Sequence, residues 1–111
     1  MYEWVKHNGA VVIKMKGELN MKNSTSFRDW VTEEFLKKGE KNILLDMSQL
    51  ENLDSFALGM MISLYKRAIN QNGFLGILAP NENIMHVLEV TGMDKVIRVF
   101  ESLSQALEQL Q

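Results

Sequence analysis

Residues 42–47, NILLDM, form a nearly unbroken apolar run with a single acid in it. Such a run reads as a central strand buried on both faces, because a strand with one wet face alternates apolar with polar residues. Burial on both faces calls for helices to cover them, and the flanking sequence supplies both helices and further strands. Residues 2–7 are a short strand candidate, and Asn8-Gly9 is a strong hairpin turn signal. Residues 10–16, AVVIKMK, form the second strand, with Val11, Ile13 and Met15 alternating against Val12, Lys14 and Lys16. Gly17 is expected to break it. Asn23 or Ser24 then offers a helix N-cap, and Phe27, Trp30, Val31 and Phe35 follow at i, i+3, i+4 and i+8. Lys37 and Lys38 suit the last turn, and Gly39 suits the position after it.

The central strand is followed by the loop SQLENLDS, and then by a helix from about Ala57 to Asn72 closed by Gly73. Residues 74–79, FLGILA, read as another short buried strand. Pro80 and Asn81 open a helix through Val90, with Ile84, Val87, Leu88 and Thr91 along one side and Gly92 after it. Residues 95–100, KVIRVF, are a last strand. Ser102 and Gln105 have the spacing of a capping box, and Leu103, Ala106, Leu107 and Leu110 make a terminal amphipathic helix. The order ββαβαβαβα predicts an α/β fold: a mixed sheet opened by a hairpin and continued by crossover helices, in one domain over residues 1–111.

Several function classes are poorly served by this chain. A net charge of −2, with only Lys37-Lys38 and Lys66-Arg67 as adjacent cations, gives no basic field for nucleic acid or anionic lipid. Cysteine is absent, which removes disulfides, thiol catalysis and thiolate metal sites. The start, MYEWVKHNGA, has no apolar leader core, and no apolar run reaches membrane-spanning length. A soluble cytoplasmic protein without membrane insertion is expected. His7 and His86 have no metal-spaced partners, and Glu33-Glu34 are neighbours that point apart on a helix. No phosphate-cradling glycine motif and no G-x-S-x-G elbow is present. Neither an enzyme nor a bound cofactor or metal is expected.

The informative stretch is Asp54-Ser55-Phe56-Ala57, at the junction of loop and helix. On a helical wheel, residues 57–69 place Ala57, Leu58, Met60, Met61, Ile62, Leu64, Tyr65, Ala68 and Ile69 in an apolar arc of roughly 200°, about twice what covering a sheet needs. Either neighbouring elements cover both flanks, or the part around Met60 and Leu64 stays open for a partner. Asp54 and Ser55 are preferred N-cap residues. Ser55 also suits a phosphoacceptor, since a helix start tolerates a dianion through its free N–H groups and dipole.

Taken together, the motifs resemble a STAS domain of the stand-alone kind that serves bacteria as an anti-sigma factor antagonist. Gly17-Glu18-Leu19 sits where that family has its post-hairpin G-E-[LI]-D. ILLDMSQLENLDS is similar to its strand, D-[LM]-S and loop ending in D-S. GFLGILAP and VLEVTGMDKVIRVFESLSQAL resemble its later strand and its V-L-x-[LV]-T-G-[LM]-D-x-[LIV] segment with the final helix. The resemblance implies a STAS-like mixed sheet with helices packed mainly on one face. It implies phosphorylation at Ser55 by an anti-sigma factor that is a GHKL-type serine kinase, and release of that kinase by the phosphorylated form. A metal-dependent Ser/Thr phosphatase would reverse the modification. It further implies a partner surface at Asn20, Asp54, Ser55, Phe56, Ala57, Met60 and Leu64. Three positions depart from the family pattern: Phe56 where a small residue is usual, Ala57 where glycine is usual, and Asn20 where aspartate is usual. They leave room for a constitutive, unphosphorylated STAS module of a lipid-transport or stress-signalling assembly. Nucleotide binding, a third reading, lacks phosphate ligands in this sequence.

Overall fold

The computed structural model describes residues 2–110. Asn8 and Gly9 have φ of 47° and 85°, the two left-handed positions of a type I′ turn. They join β1 (Glu3–His7) to β2 (Ala10–Leu19) in an antiparallel hairpin with His7 opposite Ala10. β2 then pairs in parallel with β3 (Asn42–Leu53), β3 with β4 (Phe74–Leu78) and β4 with β5 (Arg98–Phe100). Spatial order follows chain order, β1-β2-β3-β4-β5. Each parallel step needs a crossover, supplied by α1 (Ser24–Val31), α2 (Ser55–Asn70) and α3 (Glu82–Val90), and α4 (Leu103–Gln109) follows β5.

The larger core joins the inward residues of the strands, such as Val11, Ile13, Ile43, Leu45 and Ile77, to Phe27, Leu64 and Leu88 of the three crossover helices. On the other face of the sheet Val12, Leu44, Leu78 and Phe100 pack with Ala106, Leu103 and Leu107 of α4. Helices therefore lie mainly on one face, with α4 the exception. The buried-on-both-faces reading of residues 42–47 holds, since Ile43, Leu45 and Met47 enter one core and Leu44 the other.

Several boundaries differ from expectation, among them α2, which runs from Ser55 to Asn70 and not from about Ala57 to Asn72. Gly17 does not end β2; at φ 74° it sits inside a strand that runs on to Leu19. β3 does not end at Met47; it continues through SQLENL to Leu53. The two extensions pair with each other, and β3 carries one extra residue between the Lys14–Asp46 and Lys16–Gln49 pairs and another between Gly17–Leu50 and Glu18–Asn52. These bulges reset which residues face inward, so burial along β3 falls at Met47, Leu50 and Leu53. Residues 95–97 are not strand: a 3₁₀ turn over Met93–Lys95 precedes β5. The first helix also ends unlike a plain α-helix. A π-helical turn over Thr32–Leu36 turns both Phe35 and Leu36 into the core.

Candidate functional site

β3 ends at Leu53 and α2 begins at Ser55, so Asp54 alone makes the corner. Its backbone is extended, at φ −97° and ψ 174°, and its Oδ1 accepts the Ala57 N–H at 2.8 Å. This is an N-cap that satisfies one of the helix's orphan donors. The second oxygen, Oδ2, accepts the Met21 N–H at 3.0 Å. One carboxylate thus fastens the start of α2 to the loop between β2 and α1. The Asp54 N–H adds a bond to the Leu19 carbonyl at 3.3 Å.

That loop is closed by its own amides. Asn20 Oδ1 accepts the Lys22 N–H at 2.9 Å, and Asn23 Oδ1 accepts the Asn20 N–H at 2.9 Å. Asn23 Nδ2 donates to the Glu18 carbonyl at 2.8 Å. Asn20 does this work as an acceptor, which needs a carbonyl oxygen and no charge. Asparagine in place of the family's aspartate therefore keeps the turn. Asn23 does not cap α1, because its side chain is spent on Asn20 and Glu18.

Ser55 is exposed at the first helical position, and among the described residues its hydroxyl has no hydrogen-bond partner. The expectation that Asp54 and Ser55 share the cap is corrected: Asp54 does it alone and leaves the hydroxyl free. The N–H groups of Ser55 and Phe56 are likewise without an acceptor among the described residues. α2 has no acidic residue in its first turn, so its positive dipole end is open to an anion. Phe56 is 42% exposed and Met21 is 67% exposed, and together they flank Asp54 and Ser55 with apolar surface.

Two expected surface residues are not on the surface. Ala57 is 0% and Leu64 1% exposed, both in the main core. The excess apolar arc of α2 is explained on that side by the elements that cover it. Met60 is half-buried, with its sulfur 3.9 Å from the Thr25 hydroxyl on α1. Ala57 sits inside the helix and is not among the positive-φ residues, so alanine meets no strain where the family has glycine. The reachable site is thus Asn20, Asp54, Ser55, Phe56 and the edge of Met60. Met21 was not foreseen. A lone methionine between polar turn residues carries no periodic signal, and only the Asp54 bond places it here.

The remaining titratable candidates do not gather. Glu33 pairs with Lys37 at 2.6 Å and Glu34 with Lys38 at 3.1 Å, i,i+4 pairs on an exposed face. His7 lies on β1 and His86 on α3, both exposed. Among the described residues no three metal-ligating side chains cluster, and no helix is long and apolar enough to cross a membrane.

Comparison with known proteins agrees with this geometry. The family model described as STAS domain matches residues 2–106. A Thermotoga neapolitana protein, provisionally named an anti-sigma factor antagonist, is 38% identical over 92% of this chain and 90% of its own length. The crystal structure of a protein of the same provisional name from Thermotoga maritima superposes with a TM-score of 0.91 at 32% identity, covering 97% of this chain and 92% of that one. The Bacillus protein SpoIIAA, solved in its phosphorylated form, shares the fold at a TM-score of 0.72 and 16% identity over the full length of both chains.

Proposed function

Since this chain belongs to the STAS domain family, we propose that it is an anti-sigma factor antagonist whose docking surface is the start of α2, and that phosphorylation of Ser55 switches it off. The partner is an anti-sigma factor that is also a GHKL-type serine kinase, and a metal-dependent Ser/Thr phosphatase restores the free hydroxyl. Chemistry is done to this protein and not by it, in the cytoplasm. The observation that carries the reading is the division of labour at the corner. Asp54 supplies the whole cap, so the exposed Ser55 hydroxyl has no structural duty among the described residues.

The consequence of a phosphate follows from its surroundings. A dianion on Ser55 faces two free backbone N–H groups and a helix dipole, so the fold tolerates it. A partner resting on Phe56 and Met21 meets that charge in an apolar contact and has to desolvate it. Relatives named as antagonists of an anti-sigma factor, and a solved neighbour in a phosphorylated form, support the reading.

The exposed ring of Phe56 beside Ser55 favours a second reading, a constitutive module held to its partner by that ring. One experiment separates the two: binding of wild type, Ser55→Ala and Ser55→Asp to the anti-sigma factor, by calorimetry. The switch predicts tight binding by the first two and loss by the third. Equal binding by all three contradicts the switch and supports the constitutive module.

A further inference from the structure

β1 is an edge strand, and among the described residues it pairs with β2 only. All five of its residues are exposed, with Trp4 at 50% and Val5 at 48%. The opposite edge, β5, has three residues, a length too short to template another strand well. A longer edge bearing a half-exposed tryptophan is the kind that natural sheets cover or pair.

The hairpin fixes which backbone groups of β1 face outward. In a two-residue hairpin the closing pair, His7 and Ala10, is hydrogen-bonded, and bonded pairs alternate from there. Val5 and Glu3 therefore bond to β2, and the N–H and C=O groups of Trp4 and Lys6 point away from the sheet. A second antiparallel β1 must set its own outward residues against these. Three central registers do so. Trp4 opposite Trp4 leaves Glu3 against Val5, a carboxylate facing an apolar group. Lys6 opposite Lys6 puts like charges together, which is destabilising. In the third, Val5 lies on the two-fold axis against its own copy, Trp4 faces Lys6 and Glu3 faces His7.

That register sets an ammonium beside an indole and a carboxylate beside an imidazole, with the valines meeting between them. The segment EWVKH is in this register its own antiparallel complement. Trp4 and Lys6 share the helix face, opposite Ile13 and Val11, and Glu3, Val5 and His7 share the other. Two existing ion pairs, Lys6–Glu40 and Lys16–Glu3, compete for these charges, but Lys16–Glu3 is exposed and Lys6–Glu40 only half-buried, so solvent screens both.

We propose that two copies of this chain pair through β1 in the Val5-centred register, joining their five-stranded sheets into one continuous sheet across a two-fold axis. The test exploits the absence of cysteine. In Val5→Cys the two thiols meet across a non-hydrogen-bonded pair, at a Cα separation of about 4.5 Å that a disulfide spans. In Lys6→Cys they lie two residues out of register, beyond the roughly 7 Å limit. Each purified variant is held in a glutathione redox buffer and its cross-linked fraction read on a non-reducing gel, beside sedimentation equilibrium of the unmodified chain. Expected are a concentration-dependent dimer for the unmodified chain and cross-linking of Val5→Cys far above Lys6→Cys. Val5→Lys, with an unchanged thermal melt, weakens the dimer about tenfold by facing two ammonium groups across the axis. An unmodified chain that stays monomeric to millimolar concentration overturns the proposal, as does Val5→Cys cross-linking no better than Lys6→Cys.

Discussion

The starts of α2 and α3 are built alike and surrounded differently. Each follows the C-terminal end of a parallel strand, and each is capped by a side-chain oxygen accepting the N–H three residues on: Asp54 from Ala57 at 2.8 Å, Asn81 from Ile84 at 3.0 Å. Each cap also spends its second atom on a neighbouring segment. Asp54 Oδ2 accepts from Met21 at 3.0 Å, and Asn81 Nδ2 donates to the Leu50 carbonyl at 2.6 Å. Around α3 the next residues are Glu82 and Asn83, with His86 one turn on, all exposed and polar. Around α2 they are a free hydroxyl at Ser55 and the apolar surface of Phe56 and Met21. Local capping physics is the same at both, so it cannot be what singles out the start of α2 as the proposed docking site. The difference is what the fold brings alongside.

The largest expected effect breaks the comparison at its functional side. Ser55→Asp lowers affinity for the anti-sigma factor by ~100-fold or more, because a charge enters an apolar contact without a partner. Its thermal melt stays within the wild-type range, since an acid at a helix start is favourable. Glu82→Ser, which makes the α3 start resemble that of α2, leaves the same affinity unchanged when measured by calorimetry.

Next comes the pair of cap swaps, which keep the first bond and break the second. Asn81→Asp turns the donor facing the Leu50 carbonyl into an acceptor at a part-buried site, and costs ~2 kcal/mol in urea denaturation. Asp54→Asn sets a donor against the Met21 N–H at an exposed site and costs ~1 kcal/mol. Asp54→Asn also frees the Met21 loop and so weakens partner binding, an effect that Asn81→Asp lacks. Equal losses of affinity in the two variants would erase the distinction between the sites.

The smallest effects sharpen it. Phe56→Ala and Met21→Ala each change stability by less than about 0.5 kcal/mol, as exposed side chains do. Each lowers partner affinity about tenfold as part of the apolar contact. Leu64→Ala is the counterexample: it destabilises by ~3 kcal/mol because Leu64 is core, and its effect on binding is no larger than its unfolding explains.

What could be read from the sequence follows the same division. Periodic signals with local causes were legible: the Asn8-Gly9 turn, the buried run at 42–47, and the spacing of Ser102 and Gln105. The last is realised in its first half, with Gln105 N–H donating to Ser102 Oγ at 3.3 Å, while Gln105 Oε1 accepts the N–H of Glu101, the residue before the cap, at 3.1 Å. The second half of β3 was not legible, because two extra residues against β2 replace strand alternation with inward residues three apart, at Met47, Leu50 and Leu53. The same bulged pairing carries the chain past Gly17, which alone reads as a stop. At the site, Asp54 and Ser55 were visible as cap chemistry and through the family resemblance. Asp54 caps through a bond only three residues long, but its second bond, which brings Met21 to the site, joins segments over 30 residues apart and has no local signal.

The most direct measurement is the intact mass of the native protein isolated from growing and from stressed cells, with any modified residue mapped. A phosphate on Ser55 whose occupancy changes with condition is the predicted result. A chain that carries no phosphate on Ser55 under either condition, while still found in complex with its partner, would contradict the switch and leave the start of α2 a permanent contact.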